Sequence, residues 1–236
     1  MTTTLDTTPV VGRGAALTAA VAGPLILVLS FTQPPDGPDM ATASAAQIRT
    51  WALSQATALR IGALGGVLSL AVLLTATAAL SRVIRDALPR SLLADLFAGA
   101  GLLLIGSLFL NSTAWALPAV LPGLIGADLA TVDDATLRGW YALTGFTHLL
   151  GDFQMIFIAV MVGAFSAAAL RARMVPRWVG WLGVVITLSA VLGTVGITTS
   201  SDLLYGFWFG GLFGWVLWYP IVGIALGLRS RHTSAG

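Results

Sequence analysis

All twelve basic residues of this chain are arginine, and they lie between six long apolar runs that carry almost no charge. Each run is long enough for an α-helix, which rises about 1.5 Å per residue, to cross about 30 Å of hydrocarbon. The runs cover roughly residues 14–32, 59–81, 92–118, 140–170, 178–199 and 203–228. The pattern predicts an all-α polytopic membrane protein, with six transmembrane helices in one membrane domain over residues 1–236.

The distribution of arginine between the spans predicts the orientation of the chain. Arg49, Arg60 and Arg138 fall on one side, and nine arginines fall on the side that would hold both termini. The nine are Arg13, Arg82, Arg85, Arg90, Arg171, Arg173, Arg177, Arg229 and Arg231. Because cytoplasmic loops carry the excess of arginine, both termini are predicted to be cytoplasmic, in the inner membrane of a bacterial cell. The first run exceeds the roughly 7 to 15 apolar residues of a signal peptide, so we expect it to remain as a span.

The residue composition excludes several kinds of functional site. With 57% hydrophobic and 9% charged residues, the chain has too little polar surface for an ordinary soluble domain, so its expected partner is the lipid bilayer. The absence of cysteine and lysine excludes disulfides, thiolate metal sites and cofactors held as a Schiff base. Two histidines argue against a metal site, and no nucleotide-binding motif is present. We therefore expect no metal and no cofactor, and the arginines are too scattered to predict binding to nucleic acid.

The longest predicted loop, residues 33–58, lies on the outer side and has two parts. The first is a cluster of proline, aspartate and glycine, which is typical of turns. The second, from Ser44 to Ala58, is predicted to be a short amphipathic helix. This helix either lies in the membrane interface or packs on the bundle, and both interpretations remain open. In the other outer loop, residues 121–138, a helix is predicted to start near Thr131 or Asp133.

One ionisable residue falls clearly inside a predicted span, where a charge at the bilayer centre costs at least ~2.5 kcal/mol on insertion scales. This residue is Asp152, about 18 Å below Trp140 at helical rise and therefore near the expected midplane. His148 lies one turn above it, so the imidazole and the carboxylate can meet. The pair is a candidate catalytic site, either a proton relay or a general acid with an orienting base. A buried hydrogen-bonded pair that fixes helix register remains the structural alternative.

Two stripes run along this span. Small and polar side chains form one stripe, which we expect to face the bundle: Thr144, His148, Asp152, Met155, Ala159, Gly163 and Ser166. Large apolar side chains form the opposite stripe, which we expect to face lipid: Phe146, Leu150, Phe153, Phe157 and Met161.

Other polar residues of the same half are candidates for binding a substrate: Asn111, Arg60, Thr144 and Ser107. Together they predict a polar cavity that opens to the outside. The alternative for each is local, since serine and threonine in membrane helices usually bond carbonyls of their own helix and Arg60 can extend to the interface. Asn111 adds the most weight, because an amide has several hydrogen-bonding positions to satisfy.

The last span carries a dense aromatic run from Tyr205 to Phe209, followed by further aromatic residues. An aromatic lining beside an acid could stabilise a carbocation, as a membrane terpene cyclase needs. The helical phase argues against such a pocket, because small residues form one face and large aromatic residues the other. The small face holds Gly206, Gly210 and Gly214, and the opposite face, expected toward lipid, holds Tyr205, Trp208, Trp215 and Tyr219.

Three features resemble a broad group of small six-span membrane proteins of high-GC bacteria. They are the outer amphipathic segment after the first span, the arginine-containing turn that ends at residues 174–178, and the alanine-, leucine-, valine- and glycine-rich spans. The resemblance covers most of the chain and implies a fold and a membrane location, but no reaction.

Three functional hypotheses remain open. The first is a protein that binds a small or amphiphilic molecule in the outer polar cavity, such as a proton-coupled transporter or permease component with Asp152 as the cation site. The second is an integral-membrane enzyme that acts on a lipid or isoprenoid, with Asp152 as general acid or base. The third is a non-catalytic partner or regulator of another membrane protein, with residues 33–58 as the contact.

Overall fold

The computed structural model describes residues 13–30, 37–39 and 41–233, apart from a few side chains, Trp115 and His148 among them. These residues form seven helices and no strand, so the all-α prediction is confirmed. The helices are α1 (Arg13–Ser30), α2 (Ala45–Ser54), α3 (Ala56–Ala87), α4 (Leu93–Leu124), α5 (Asp134–Ala172), α6 (Arg177–Thr199) and α7 (Asp202–Thr233).

Five helices, α3 to α7, each contain a stretch that is long and apolar enough to cross a membrane. The apolar part of α1, Gly14–Val28, is shorter. Four helices extend well beyond their predicted bounds: α3 covers Ala56–Ala87, α4 continues through Pro118 and Pro122 to Leu124, α5 already begins at Asp134, and α7 continues to Thr233. Asp133 caps α5 by accepting a hydrogen bond from the Thr136 amide, as the sequence predicted for this loop.

The six long helices form a closed ring in the order α1, α3, α4, α5, α6, α7, with α7 packed back on α1. Consecutive long helices run antiparallel, and α5 also touches α3 and α7 across the ring. We call the end that carries α2 and the α6–α7 turn the α2 end. The opposite end, with the α3–α4 and α5–α6 loops, is the Arg end. It holds Arg82, Arg85, Arg90, Arg171, Arg173 and Arg177.

Small residues let α6, α7 and α1 approach very closely. A β-carbon on Gly193 would lie 2.6 Å from the Cα of Trp208, and one on Gly223 would lie 2.2 Å from the amide nitrogen of Ala20. Only glycine leaves room for backbones at this separation. Close van der Waals contact of this kind is a main source of helix association in lipid, where apolar side chains gain nothing by leaving the solvent.

Large aromatic side chains fill the ring toward the Arg end. Phe97, Phe165, Trp218 and Tyr219 are each less than 2% exposed. The rings of Phe165 and Trp218 meet edge to face at 4.9 Å between centroids, a preferred geometry for aromatic pairs. The prediction that Tyr219 faces lipid was therefore wrong.

Two other side chains expected to face lipid are buried, Trp215 at 3% exposure and Met161 at 0%. Met161 accepts a hydrogen bond from the Tyr219 hydroxyl across the ring. The reason is that α5 packs against five other helices and α7 against three, so one narrow face of each is left for lipid. Phe146 and Phe153 do lie on that face of α5, as predicted.

A second, smaller hydrophobic cluster forms a cap at the α2 end. It joins α2 to the α4–α5 loop and the start of α5 through buried side chains: Ala45, Ile48, Ala52, Leu129, Leu137 and Tyr141. The side chain of Arg49 crosses to the loop, where it donates to the carbonyls of Leu129 and Val132 and pairs with Asp134. The apolar face of α2 therefore packs on protein, which is the second of the two interpretations left open by the sequence.

Candidate functional site

The ends of α5 and α6 are offset, and this offset sets the position of Asp152. Gly163 of α5 lies against Thr187 of α6, and Gly183 of α6 lies against Ser166 of α5. Because both helices rise about 1.5 Å per residue in opposite directions, Thr199, the last residue of α6, is level with Gly151. Asp152 is therefore level with the α6–α7 turn, although it lies near the middle of α5 itself.

The start of α5 continues well beyond that turn. Residues 134–150 add about 25 Å at helical rise. The predicted depth of Asp152 in the membrane was counted from Trp140, which packs against the cap cluster, and that depth stays a prediction. The count along one helix could not include the offset between neighbouring helices.

Asp152 is half-buried, and because it stands eleven residues before Gly163 it lies on the side of α5 that faces α6. Tyr205, in the first turn of α7, lies within electrostatic range of its carboxylate. The stripe expected to face the bundle does so, since Thr144, Met155 and Ser166 are buried. The side chain of His148 is outside the described residues, so its pairing with Asp152 stays a prediction.

Two carboxamides lie near Gly151, the residue before Asp152, on the side of α5 that faces α4 rather than α6. Asn111 Nδ2 of α4 and Gln154 Nε2 of α5 lie 3.6 Å and 4.0 Å from the point where a β-carbon on Gly151 would stand. Gln154 is only 5% exposed. Asn111 Oδ1 and Gln154 Nε2 are buried, and neither has a hydrogen-bond partner within the part of the chain that is described. The site thus presents one unpaired acceptor and one unpaired donor.

Sequence reasoning missed Gln154, although a signal was present. It follows Gly151 by three residues, so it shares that face of α5, and its amide has the same number of hydrogen-bonding positions as Asn111. The predicted stripe was drawn through Asp152, which lies two residues before Gln154 and therefore about 160° away around the helix, so the stripe did not include Gln154.

The remaining predicted substrate-binding residues have local partners. Ser107 donates to the carbonyl of Leu104, and Thr144 donates to the carbonyl of Tyr141, both within their own helices. Arg60 donates to the carbonyl of Ala119 on α4 at 3.2 Å. Ser107 lies one turn from Asn111, whereas Arg60 and Thr144 stand higher, toward the cap. The structure thus brings Asn111, Ser107 and Asp152 to one level and separates Arg60 and Thr144 from them.

The site is closed toward the Arg end by the aromatic side chains that fill the ring there. Within the described ranges, no three His, Asp or Glu side chains come together as a metal ion would need. The chemistry available is therefore that of two amides and a carboxylate: hydrogen bonding, proton exchange and attraction of a cation. Comparisons of the chain with protein-family models, curated proteins and solved structures found no match.

Proposed function

We propose that this protein spans the inner membrane of a bacterial cell six times, with both termini in the cytoplasm, and binds a small amphiphilic molecule beside Asp152. The excess of arginine at the Arg end supports this orientation through the positive-inside rule. The sixth span in this proposal is α1, which packs in the ring between α3 and α7 as the other long helices pack between their neighbours.

The observation that carries ligand binding is the pair of buried, unpaired amide atoms of Asn111 and Gln154. Leaving a buried polar group unsatisfied costs about 1–3 kcal/mol, so native structures rarely retain one without a reason. A ligand that offers both a donor and an acceptor would satisfy the two atoms together. The carboxylate of Asp152, at the same level on the α6 side of α5, supplies a charge for a cationic or hydrogen-bonding group of a ligand that extends around the helix from the amides.

The position of the site favours an amphiphile. If the 23 residues of α6, about 35 Å long, span the hydrocarbon, then Asp152 lies at headgroup depth on the α2 side. Phe153 and Ile156 are exposed along the adjoining face of α5 and run from that depth toward the membrane centre. A polar head would lie at the amides and an apolar tail would follow these side chains.

We take a proton-coupled transporter or permease component as the leading class, with Asp152 exchanging the proton. A second class, an integral-membrane enzyme with Asp152 as general acid or base, is favoured by one observation: aromatic side chains close the Arg-end side of the site. An enzyme needs a site reached from one side, whereas a transporter must open that packing during its cycle.

A double-mutant cycle tests whether the two amides are unpaired in the absence of a ligand or pair with each other. The variants are Asn111→Leu, Gln154→Leu and the double variant, with Thr144→Val as control because the Thr144 hydroxyl is satisfied within its own helix. If each amide is unpaired, each single variant should unfold at the same or a higher temperature in detergent. If the amides pair with each other, each single variant should lose about 1–3 kcal/mol and the double variant should recover it. The second result would remove the support for a ligand site.

Binding is then measured directly by the thermal shift that a long-chain fatty acid, an isoprenoid alcohol or an alkyl quaternary ammonium produces. We expect one of these probes to stabilise wild type and the Thr144→Val control but not Gln154→Leu. Asp152→Asn separates the two classes. In proteoliposomes a transporter should lose proton-coupled uptake of the bound probe, whereas an enzyme should bind the probe and never move it. If no probe shifts any variant, amphiphile binding at this site is wrong.

A further inference from the structure

An apolar groove with a volume of about 500 Å³ runs between α4 and α5 on the outer surface of the ring. It is lined by α4 from Leu92 to Leu103 and by Ile156, Phe157 and Val160 of α5. Asp95 is the one charged residue of the lining. The groove opens at the Arg end, and its deep end at Ile156 and Phe157 lies within about one helical turn of Gln154.

The length of the groove matches one leaflet of a bilayer. From Leu92 to Leu103 the helix rises about 16 Å, and half of a hydrocarbon core is about 15 Å. Its charged end lies at the Arg end and its deep end reaches the level of Ile156. A single extended acyl chain from the leaflet at the Arg end has the dimensions and the chemistry of this space.

Two arginines stand at the mouth of the groove. Arg85 pairs with the Asp95 carboxylate at 2.8 Å, which brings its guanidinium to the groove. Arg171 lies eleven residues, about three turns, after Val160 on the same face of α5, and both arginines are exposed. A guanidinium carries five donors, so Arg85 can hold Asp95 and a phosphate at once.

We propose that this groove is a binding site for one anionic phospholipid, whose acyl chain lies along α4 and whose phosphate meets Arg85 and Arg171. The site rests on the bilayer placement given under the proposed function, but not on the ligand proposed there. Each arginine near an anionic headgroup is expected to strengthen binding about fivefold.

The glycines of α4 provide a matched pair of variants. A β-carbon on Gly99, which lines the groove, would meet no atom within 4 Å, so Gly99→Leu directs an apolar side chain into the groove. Gly106 is equally open but lies outside the lining, which makes Gly106→Leu the control. Arg85→Gln and Arg171→Gln remove the charges, and Arg90→Gln removes an exposed arginine of the α3–α4 loop as their control.

The test is native mass spectrometry of the full chain released from detergent with phosphatidylglycerol or, separately, phosphatidylcholine. We expect wild type, Gly106→Leu and Arg90→Gln to retain phosphatidylglycerol preferentially. Gly99→Leu and the two charge variants should each retain it at least about fivefold less. Equal retention by Gly99→Leu and Gly106→Leu, or equal retention of the two lipids by wild type, would overturn the proposal. Labelling a Ser91→Cys variant from each side of the membrane tests the bilayer placement separately, since the chain has no other cysteine.

Discussion

Two regions of the molecule are stabilised in different ways: the cap at the α2 end, and the interface of α7 with α6 and α1. In the cap, polar groups cross between elements: Arg49 reaches two loop carbonyls and Asp134, and Ser44 and Gln47 form a reciprocal capping box at the start of α2. Between α6 and α7, glycines bring backbones together, and the hydroxyls of Thr187 and Thr194 bond carbonyls of their own helix.

The difference follows from the solvent expected around each region. A short helix in water gains stability from burying an apolar face and from capping its ends. Helices in lipid gain little from burial, because the solvent is as apolar as the side chains, so they depend on close packing of small residues. The same chain thus contains a region stabilised as a small soluble protein is and one stabilised as a membrane bundle is.

The largest effect is expected where two backbones meet. Gly193→Val would place a β-carbon 2.6 Å from the Cα of Trp208, which neither helix can accommodate without moving. We expect a loss of about 3 kcal/mol or more in the free energy of unfolding in detergent. The control is Gly206→Val on α7, where an added β-carbon meets no atom within 4 Å. Similar losses for the two variants would show that valine in the helix, rather than the close approach, is responsible.

A smaller effect, confined to the cap, is expected for Arg49→Met. The variant leaves the carbonyls of Leu129 and Val132 without their donor, at a cost of about 2 kcal/mol. Amide hydrogen exchange should rise in α2 and in the α4–α5 loop while α6 and α7 stay protected. Asp134→Asn, which removes only the exposed partner, should cost about 0.5 kcal/mol or less. If exchange rises equally in α7, the two regions unfold as one unit and the comparison fails.

A pH effect is expected at the boundary between cap and bundle. Hydrogen bonds from the Thr136 side chain and the Thr136 amide hold the pKa of Asp133 below its ordinary value. A depressed pKa means that the ionised cap stabilises the first turn of α5 above the ordinary aspartate pKa of about 3.9. That contribution is lost as the pH falls through the lower pKa of the folded state. NMR of the Thr136 amide should show its hydrogen bond weakening in that range, but not in Asp133→Asn, which caps without titrating. A transition that persists in Asp133→Asn would assign the effect to another group.

The smallest effect on stability is expected at the Arg end. The ion pair of Arg85 with Asp95 has side chains that are 60% and 64% exposed, so Arg85→Gln should change the free energy of unfolding by less than about 0.5 kcal/mol. Asp95→Asn should do the same. A loss above about 1 kcal/mol in the free energy of unfolding would mean that polar contacts stabilise this surface as they stabilise the cap. The two regions would then not differ in how they are stabilised.

The sequence alone determined the helices and their faces. Hydrophobic length predicted the all-α fold and six spans, five of which are long apolar helices in the structure. Helical phase predicted which stripe of α5 faces the bundle, because both signals depend on residues close together in the chain. The start of α5 at Asp133 was predicted from local sequence as well, because an aspartate before a helix can accept a hydrogen bond from an amide of the first turn. Asn111 was predicted as a polar group of this half, and the structure places it at Gly151.

Only the tertiary structure decided the level of Asp152, the meeting of Asn111 with Gln154, and the burial of Met161, Trp215 and Tyr219. Each depends on how far one helix is shifted along another and on how many neighbours a helix has. Those quantities are set by contacts such as Gly163 against Thr187, between residues far apart in the chain. Periodicity along a single helix carries no information about them.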